Sequence, residues 1–340
     1  MKAVHVAEAG GTDQLIYGDW PDPQIGAGEV LVQVRAASVN NVDIMVRQGL
    51  LGRLPLVLGT DAAGTVAQVG AEARGLAMGD RVIVNGAISC DACDYCFAGN
   101  HGTCRQRAAL GQAVDGTYAE YVKLPWRNVL PIAGSLSFED AAAAPAVFFT
   151  AWQALMTRAG LRPGETVLVT AAGSGVGNAG IQLAKLAGAL VIAGSTSDDT
   201  LADAKQWGAE ATVNFAAGNW AQSVLDLTGG EGPHVIFDIL GGAYWPEYLR
   251  CVRAGGRIVT CSVASGNKPD LDILALLARQ VTILGTGGFG AKGDIARVVG
   301  LLNEGRIRSR VSRLFPLTEA AQAQDALRDR GTTGKIILTP

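Results

Sequence analysis

Through the first 125 residues, apolar and polar positions alternate in short runs that glycine, proline and acidic turns interrupt. Period-two patterning of this kind predicts strands, here at Met1 to Ala7, Glu29 to Ala36, Gly64 to Val69, Asp80 to Asn85 and Thr117 to Lys123, which together make a small β-rich body. From Leu136 the texture becomes alanine-rich and helical, at Phe138 to Ala144 and Ala146 to Arg158. Six apolar segments then follow: Thr166 to Thr170, Leu190 to Ala193, Thr212 to Asn214, His234 to Ile239, Gly256 to Cys261 and Val281 to Gly285. Most are separated by helical stretches such as Gly177 to Leu186, and this β-α-β rhythm predicts an α/β fold with a doubly wound parallel sheet.

After Gly290 the pattern returns to a helix (Asp294 to Asn303), a strand near Arg310 to Pro316, a helix from Thr318 to Arg328 and a last strand from Lys335 to Leu338. We assign this tail back to the β-rich body. The expected domains are therefore 1–125 with 291–340, and 126–290. Two domains also fit the length, since 340 residues exceed the roughly 250 to 300 at which a single core stops growing. No fixed-period repeat runs through the sequence, which removes solenoids and propellers.

Composition narrows the function classes. Hydrophobic residues are 49% and charged residues 17%, so the chain folds rather than staying disordered. The net charge is −3 and no basic stripe occurs, which argues against nucleic acid and anionic membrane as partners. No apolar run approaches the roughly 18 to 20 residues of a bilayer span, and Met1 to His5 leads into a strand rather than a signal core; a cytoplasmic location is expected. The 45 glycines show no collagen period and are expected at turns and close backbone approaches.

Four of the six cysteines, Cys90, Cys93, Cys96 and Cys104, form C-x2-C-x2-C-x7-C. Four thiolates on one tight loop can wrap a tetrahedral ion, and one zinc per chain is expected. A complete set of protein ligands leaves no open position, so this ion is expected to hold the loop together rather than act on substrate. Cys251 and Cys261 are expected in the core.

Thr166 to Thr170 leads into Ala171-Ala-Gly-Ser-Gly-Val-Gly177 and then a helix. Strand, glycine turn and helix in that order make an anion site from backbone N–H groups, expected around Ser174, Gly175, Val176 and Gly177. Literal matching of G-x-G-x-x-G takes Gly175, Gly177 and Gly180, which puts Gly180 well inside the helix. Ser195 ends the second strand, where an acid would favour the ribose hydroxyl of NAD. A small neutral residue removes repulsion of a 2′-phosphate and favours NADPH. NADH stays as the alternative, because no lysine or arginine lies between Gly194 and Asp203.

A β-rich lobe with a four-cysteine loop, a dinucleotide fold and a return to the first lobe resembles the medium-chain dehydrogenase/reductase superfamily. Gly28-Glu-Val-Leu-Val32, Gly59-Thr-Asp-Ala-Ala-Gly64, Gly79-Asp-Arg-Val82, Tyr118-Ala-Glu-Tyr121 and Ala144-Pro-Ala146 carry the likeness over nearly the whole chain. It implies a GroES-like catalytic domain plus a Rossmann domain, with Ala172, Ser174 and Gly177 in the fingerprint positions. Zinc alcohol dehydrogenases of the superfamily place catalytic ligands where this chain has Asn40 and Thr60; Asp61 alone could ligate, so a catalytic zinc is not expected.

The V-N-x-x-D pattern of Asn40 and Asp43, with G-T-D-A-A-G, looks like the zinc-independent quinone oxidoreductase and enoyl reductase branch. Members of that branch usually lack the cysteine loop that this chain keeps, and Met45 stands where many carry a tyrosine. The resemblance implies catalytic roles for Asn40, Asp43 and Thr60, although Asp43 also suits a helix start or a pair with Arg47. It places Asn41, Thr150, Thr200 and Phe215 at the cofactor, Phe215 near adenine. Val263, Ser265, Gly287 and Phe289 are implied at the nicotinamide end, and Lys335 within reach of the pyrophosphate.

Without a metal, hydride transfer needs a carbon that is already electron-poor, and a carbon–carbon double bond conjugated to a carbonyl supplies one. The expected activity is NAD(P)H-dependent reduction of an enone, enal or quinone, with Asn40 and Thr60 as donors to the carbonyl oxygen. An alcohol or carbonyl dehydrogenase with an atypical site, and a non-catalytic NADPH-binding protein, are the alternatives. The expected partners are a small unsaturated carbonyl or quinone and a second copy of the chain, as homodimer or homotetramer.

Overall fold

A computed structural model describes residues 1–287, 290–329 and 333–340. The chain divides into two compact units, Met1–Ala146 with Ala291–Pro340, and Val147–Gly290.

The first unit is built around the strand Glu29–Ser38. It pairs antiparallel with Asp61–Val69, Tyr121–Pro125 and Lys335–Thr339 within a seven-stranded sheet. Alternate apolar side chains such as Val30, Val32 and Val34 bury against Val66, Val122 and Ile336. A smaller sheet sets Lys2–Val6 between Ile16–Asp19 and Leu56–Val57.

Two registers position the chemistry. Ser38 lies opposite Asp61, and Ile337 lies opposite Ser38, which brings the start of the last strand beside Val39 and Asn40. The tail thus belongs to the β-rich unit. Residues 126–146 join it as well, later than the expected boundary at 125. Val129–Pro131 completes backbone pairing with Arg81–Val84, and the helix Phe138–Ala142 has its Ser137 cap bonded to the Asp140 N–H at 3.1 Å. Unpaired edge groups of Arg81–Val84 find partners there, which outweighs the alanine-rich texture that suggested a new domain.

The second unit holds a six-stranded, wholly parallel sheet. Its order is Ala211–Asn214, Leu190–Ser195, Thr166–Val169, Val235–Asp238, Arg257–Thr260 and Thr282–Gly285. In chain order this is 3-2-1-4-5-6, the Rossmann arrangement, so the fold is GroES-like plus Rossmann. Central strands such as TVLV are continuously apolar because both faces are covered. The expected helix from Ala146 to Arg158 is wound wide over Gln153–Arg158, where the Ala159 N–H reaches back to the Ala154 carbonyl. Among the described residues no helix is long and apolar enough to cross a membrane.

Candidate active site

Asn40 caps the helix Asn41–Arg47 in an extended conformation, directly after the strand that carries Ser38. Its amide nitrogen Nδ2 donates to Thr60 Oγ1 at 3.1 Å and to Asp61 Oδ2 at 2.9 Å. Its oxygen Oδ1 accepts from the Lys335 ammonium at 2.5 Å, and the same ammonium donates to the Val39 carbonyl at 2.9 Å. Asp61 Oδ2 also accepts from Ser38 Oγ at 2.9 Å and from the Ala146 N–H at 3.3 Å. Gly59 makes the turn possible: its φ is +96°, and a Cβ there would lie 2.4 Å from Thr117 Oγ1 and from the Tyr118 ring.

Asn40, Thr60 and Lys335 are buried but retain 8, 9 and 7% of their surface, so the cluster sits at the wall of the unit rather than in its centre. Burial lowers the Lys335 pKa, and the carboxylates of Asp61 and Asp43 pull it back up. Lys335, expected within reach of a pyrophosphate, bonds the Val39 carbonyl and Asn40 Oδ1 through Nζ in this structure, with the two aspartates close by.

Asp43, expected at the chemistry, lies behind Asn40. It has no exposed surface. Its Oδ2 accepts from the Asn40 N–H at 2.8 Å and from the Tyr118 hydroxyl at 2.9 Å, while Oδ1 is buried without a hydrogen-bond partner. Burial raises its pKa to about 7 against those two bonds. Arg47 is not its partner; the guanidinium goes to Gln324 and to the Gly10 carbonyl. Asp43 anchors the helix start, which in turn holds Asn40.

In the second unit, Ser174 caps the helix Gly175–Leu186 and accepts from the Gly177 N–H at 3.0 Å. The first intrahelical bond runs from the Asn178 N–H to the Ser174 carbonyl, which leaves the Gly175 and Val176 N–H groups at the open helix end as anion donors. A Cβ on Gly177 would lie 2.2 Å from the Ala171 carbonyl, so helix and turn approach as closely as a dinucleotide turn requires. Gly180 instead packs on Phe237, inside the helix. This placement matches the register of Ala172, Ser174 and Gly177 rather than the literal one.

Ser195 ends its strand half-buried, with Oγ accepting from the Ser197 N–H at 3.2 Å. Thr200 lies in the first turn of the helix Asp198–Gln206, its N–H bonded to the Ser197 hydroxyl. Thr150 is half-buried at the start of Thr150–Trp152, and Asn41 is exposed at its helix start. Val263 and Gly287 are exposed, and Ser265 Oγ accepts from the Ala243 N–H at 3.2 Å. Phe215, expected near adenine, has its ring buried against Trp220 and Tyr244, with centroids 4.4 and 5.7 Å away, and closes over Gly194. Phe289 lies outside the described residues.

The four cysteines converge, with all sulfurs within 4.8 Å of one another. Tetrahedral zinc with Zn–S bonds of about 2.3 Å separates its sulfurs by about 3.8 Å. Here Cys93 to Cys96, Cys104 to Cys90 and Cys90 to Cys96 are 3.5, 3.4 and 4.0 Å. Backbone N–H groups of Arg105 and Cys96 hold Cys93 down to about 6, whereas burial pushes Cys96 up to about 12. A dication removes that conflict by taking all four as thiolates, so the residues fit a structural zinc. No other group of three His, Cys, Asp or Glu ligands comes together among the described residues.

Family comparisons agree with both units. The alcohol dehydrogenase GroES-like domain matches residues 26–134, and the zinc-binding dehydrogenase family matches 175–304. The crystal structure of an NAD-dependent alcohol dehydrogenase superposes with a TM-score of 0.96 at 40% identity, covering 100% of both chains. The chain belongs to the medium-chain dehydrogenase/reductase superfamily.

It is a nicotinamide-dependent oxidoreductase of that superfamily. A quinone oxidoreductase of Pseudomonas aeruginosa is 30% identical over 100% of this chain and 99% of its own. An acryloyl-coenzyme A reductase of Metallosphaera sedula is 30% identical over 94% of each. Three differently named activities thus occur among the relatives of this dehydrogenase/reductase, the alcohol dehydrogenase at 40% identity and the other two at 30%. Sequence reasoning passed over Ser38 and Tyr118 as partners of the two aspartates, and no local pattern marks them: Tyr118 lies 75 residues from Asp43.

Proposed function

We propose that the protein reduces the activated double bond of an α,β-unsaturated carbonyl, or a quinone, with NADPH and without a catalytic metal. The observation that carries this reading is the Asn40, Thr60 and Asp61 cluster. An amide and a hydroxyl stand where the superfamily's alcohol dehydrogenases are expected to place metal ligands, and a buried ammonium lies among them. The likeness to an acryloyl-coenzyme A reductase and a quinone oxidoreductase supports it.

The bound nicotinamide supplies the hydride. Negative charge then develops on the acceptor's carbonyl oxygen, and the Thr60 hydroxyl, polarised by Asn40, donates to it. Water supplies the proton to the α-carbon. Gly175 and Val176 bind the pyrophosphate through backbone N–H groups, Ser174 and Gly177 shape the turn that presents them, and Ser195 leaves room for a 2′-phosphate. A reducing, cytoplasmic setting suits six cysteines with no disulfide among them.

We also infer a homodimer. The edge strand Thr282–Gly285 and the helix Ile273–Arg279 expose Ile283, Ile273, Leu274 and Leu277, an apolar patch suited to a second copy.

The deciding experiment incubates purified protein with NADPH and 2-cyclohexenone or an aliphatic enal and identifies the product. Saturated carbonyl is expected. Allylic alcohol overturns conjugate reduction and favours a carbonyl reductase, the reading nearer to the alcohol dehydrogenase relative. The same assay with Ser195→Asp is expected to move preference from NADPH towards NADH.

A further inference from the structure

The Asn40 amide is the hinge of the cluster, because its two ends carry opposite hydrogen-bonding roles and only its partners decide which end faces where. Lys335 Nζ donates to the Val39 carbonyl and to Asn40 Oδ1, so the amide oxygen faces the lysine. The other end is then the NH₂ group, which donates to Thr60 Oγ1 and Asp61 Oδ2. A hydroxyl that accepts from an amide keeps its own proton for another acceptor. Among the described residues none takes the Thr60 proton.

We propose that Lys335 is a positioning residue: its buried ammonium locks the Asn40 amide with Nδ2 towards Thr60, and so leaves the Thr60 hydroxyl proton for the substrate's carbonyl oxygen. This inference rests on the reading of Thr60 as the carbonyl donor. With the amide reversed, Thr60 would donate to Asn40 Oδ1 and present only lone pairs to the substrate oxygen, which repel it. The ammonium at Oδ1 and the Asp61 carboxylate at Nδ2 hold the same orientation from opposite ends, and the ammonium thereby acts on an atom it does not touch.

It also strengthens that interaction. Hydrogen bonds from a charged donor are shorter and stronger, and successive bonds in a chain polarise one another. The series runs from Lys335 Nζ through the Asn40 amide to the Thr60 hydroxyl. Asp61 does not interrupt it, because Oδ2 already receives Ser38 Oγ and the Ala146 N–H beside Asn40. The ammonium is held from behind by the Val39 carbonyl, and the pairing of Ile337 with Ser38 fixes where its strand begins.

The test compares Lys335→Met, Lys335→Arg, Asn40→Asp and Thr60→Val in the full-length holoenzyme, with NADPH and 2-cyclohexenone as probes. Thr60→Val is expected to lower kcat about 10²-fold, the size of losing one oxyanion donor. Lys335→Met is expected to lower kcat at least about tenfold with NADPH affinity unchanged, Lys335→Arg to recover most of it, and the Lys335→Met/Thr60→Val pair to lose little more than Thr60→Val alone.

Asn40→Asp keeps an acceptor for the ammonium but no donor to Thr60, and it is expected to lose kcat even if Lys335→Met does not fold. Wild-type kcat in Lys335→Met or Asn40→Asp, or a Lys335→Met defect that tracks weakened NADPH binding, overturns the proposal while the donor role of Thr60 stands. An unaffected Thr60→Val overturns the donor role itself, and the inference with it.

Discussion

Asp43 shows how one buried group links pH to stability. Its pKa is raised to about 7 by burial, above the ordinary carboxylate value near 3.9 that applies in the unfolded chain. Below about pH 4 the acid is neutral in both states and the fold bears no penalty. Between that pH and about 7 the unfolded state releases its proton first, so stability is lost as pH rises. The amide introduced by Asp43→Asn can still accept from the Asn40 N–H and the Tyr118 hydroxyl but cannot ionise. The variant's Tm is therefore expected to gain on the wild type by several degrees across this window and to stay level with it below. A constant Tm difference from pH 4 to pH 8 would falsify the assignment, and thermal melts across that range read it directly.

The cysteine loop is an element whose stability comes from its ion. The segment has short helices at Asp94–Phe97 and His101–Thr103 and little apolar burial besides Cys96 and Cys104. Asp91 ties it to the helix Lys292–Asn303, bonding Ser89 Oγ at 2.7 Å and Lys292 Nζ at 2.5 Å. Metal analysis is expected to find one zinc per chain. Chelation or Cys93→Ser should lower Tm while the residual folded enzyme keeps its kcat, because a four-cysteine shell leaves no position for substrate. Loss of kcat with no loss of Tm would assign the metal to chemistry.

For the assembled protein the informative surface is the exposed edge of the parallel sheet. Strand Thr282–Gly285 offers unpaired backbone groups on one side, and Leu274 and Leu277 stand largely in water beside it in the isolated chain. Light scattering at micromolar concentration is expected to give twice the chain mass, and Leu274→Lys with Leu277→Glu to shift it towards the single chain. A wild-type monomer would leave that patch for a different occupant.

Much of this molecule is written in short stretches of sequence. Period-two and apolar runs marked the strands because burial on one face or both leaves a local trace, as in TVLV before the nucleotide turn. The cysteine site was equally legible, since all its ligands lie on one loop between Cys90 and Cys104. The candidate chemistry was not. Lys335 and Asn40 stand 295 residues apart, and their contact exists because the last strand pairs Ile337 with Ser38, a register that no local spacing carries. Phe215 turned inward because Trp220 and Tyr244 offered apolar surface, and Asp43 was enclosed by Tyr118. Local pattern specifies backbone period and nearby ligands. Which distant side chains meet, and whether their charges face water or one another, is decided when the sheets pair and the core closes.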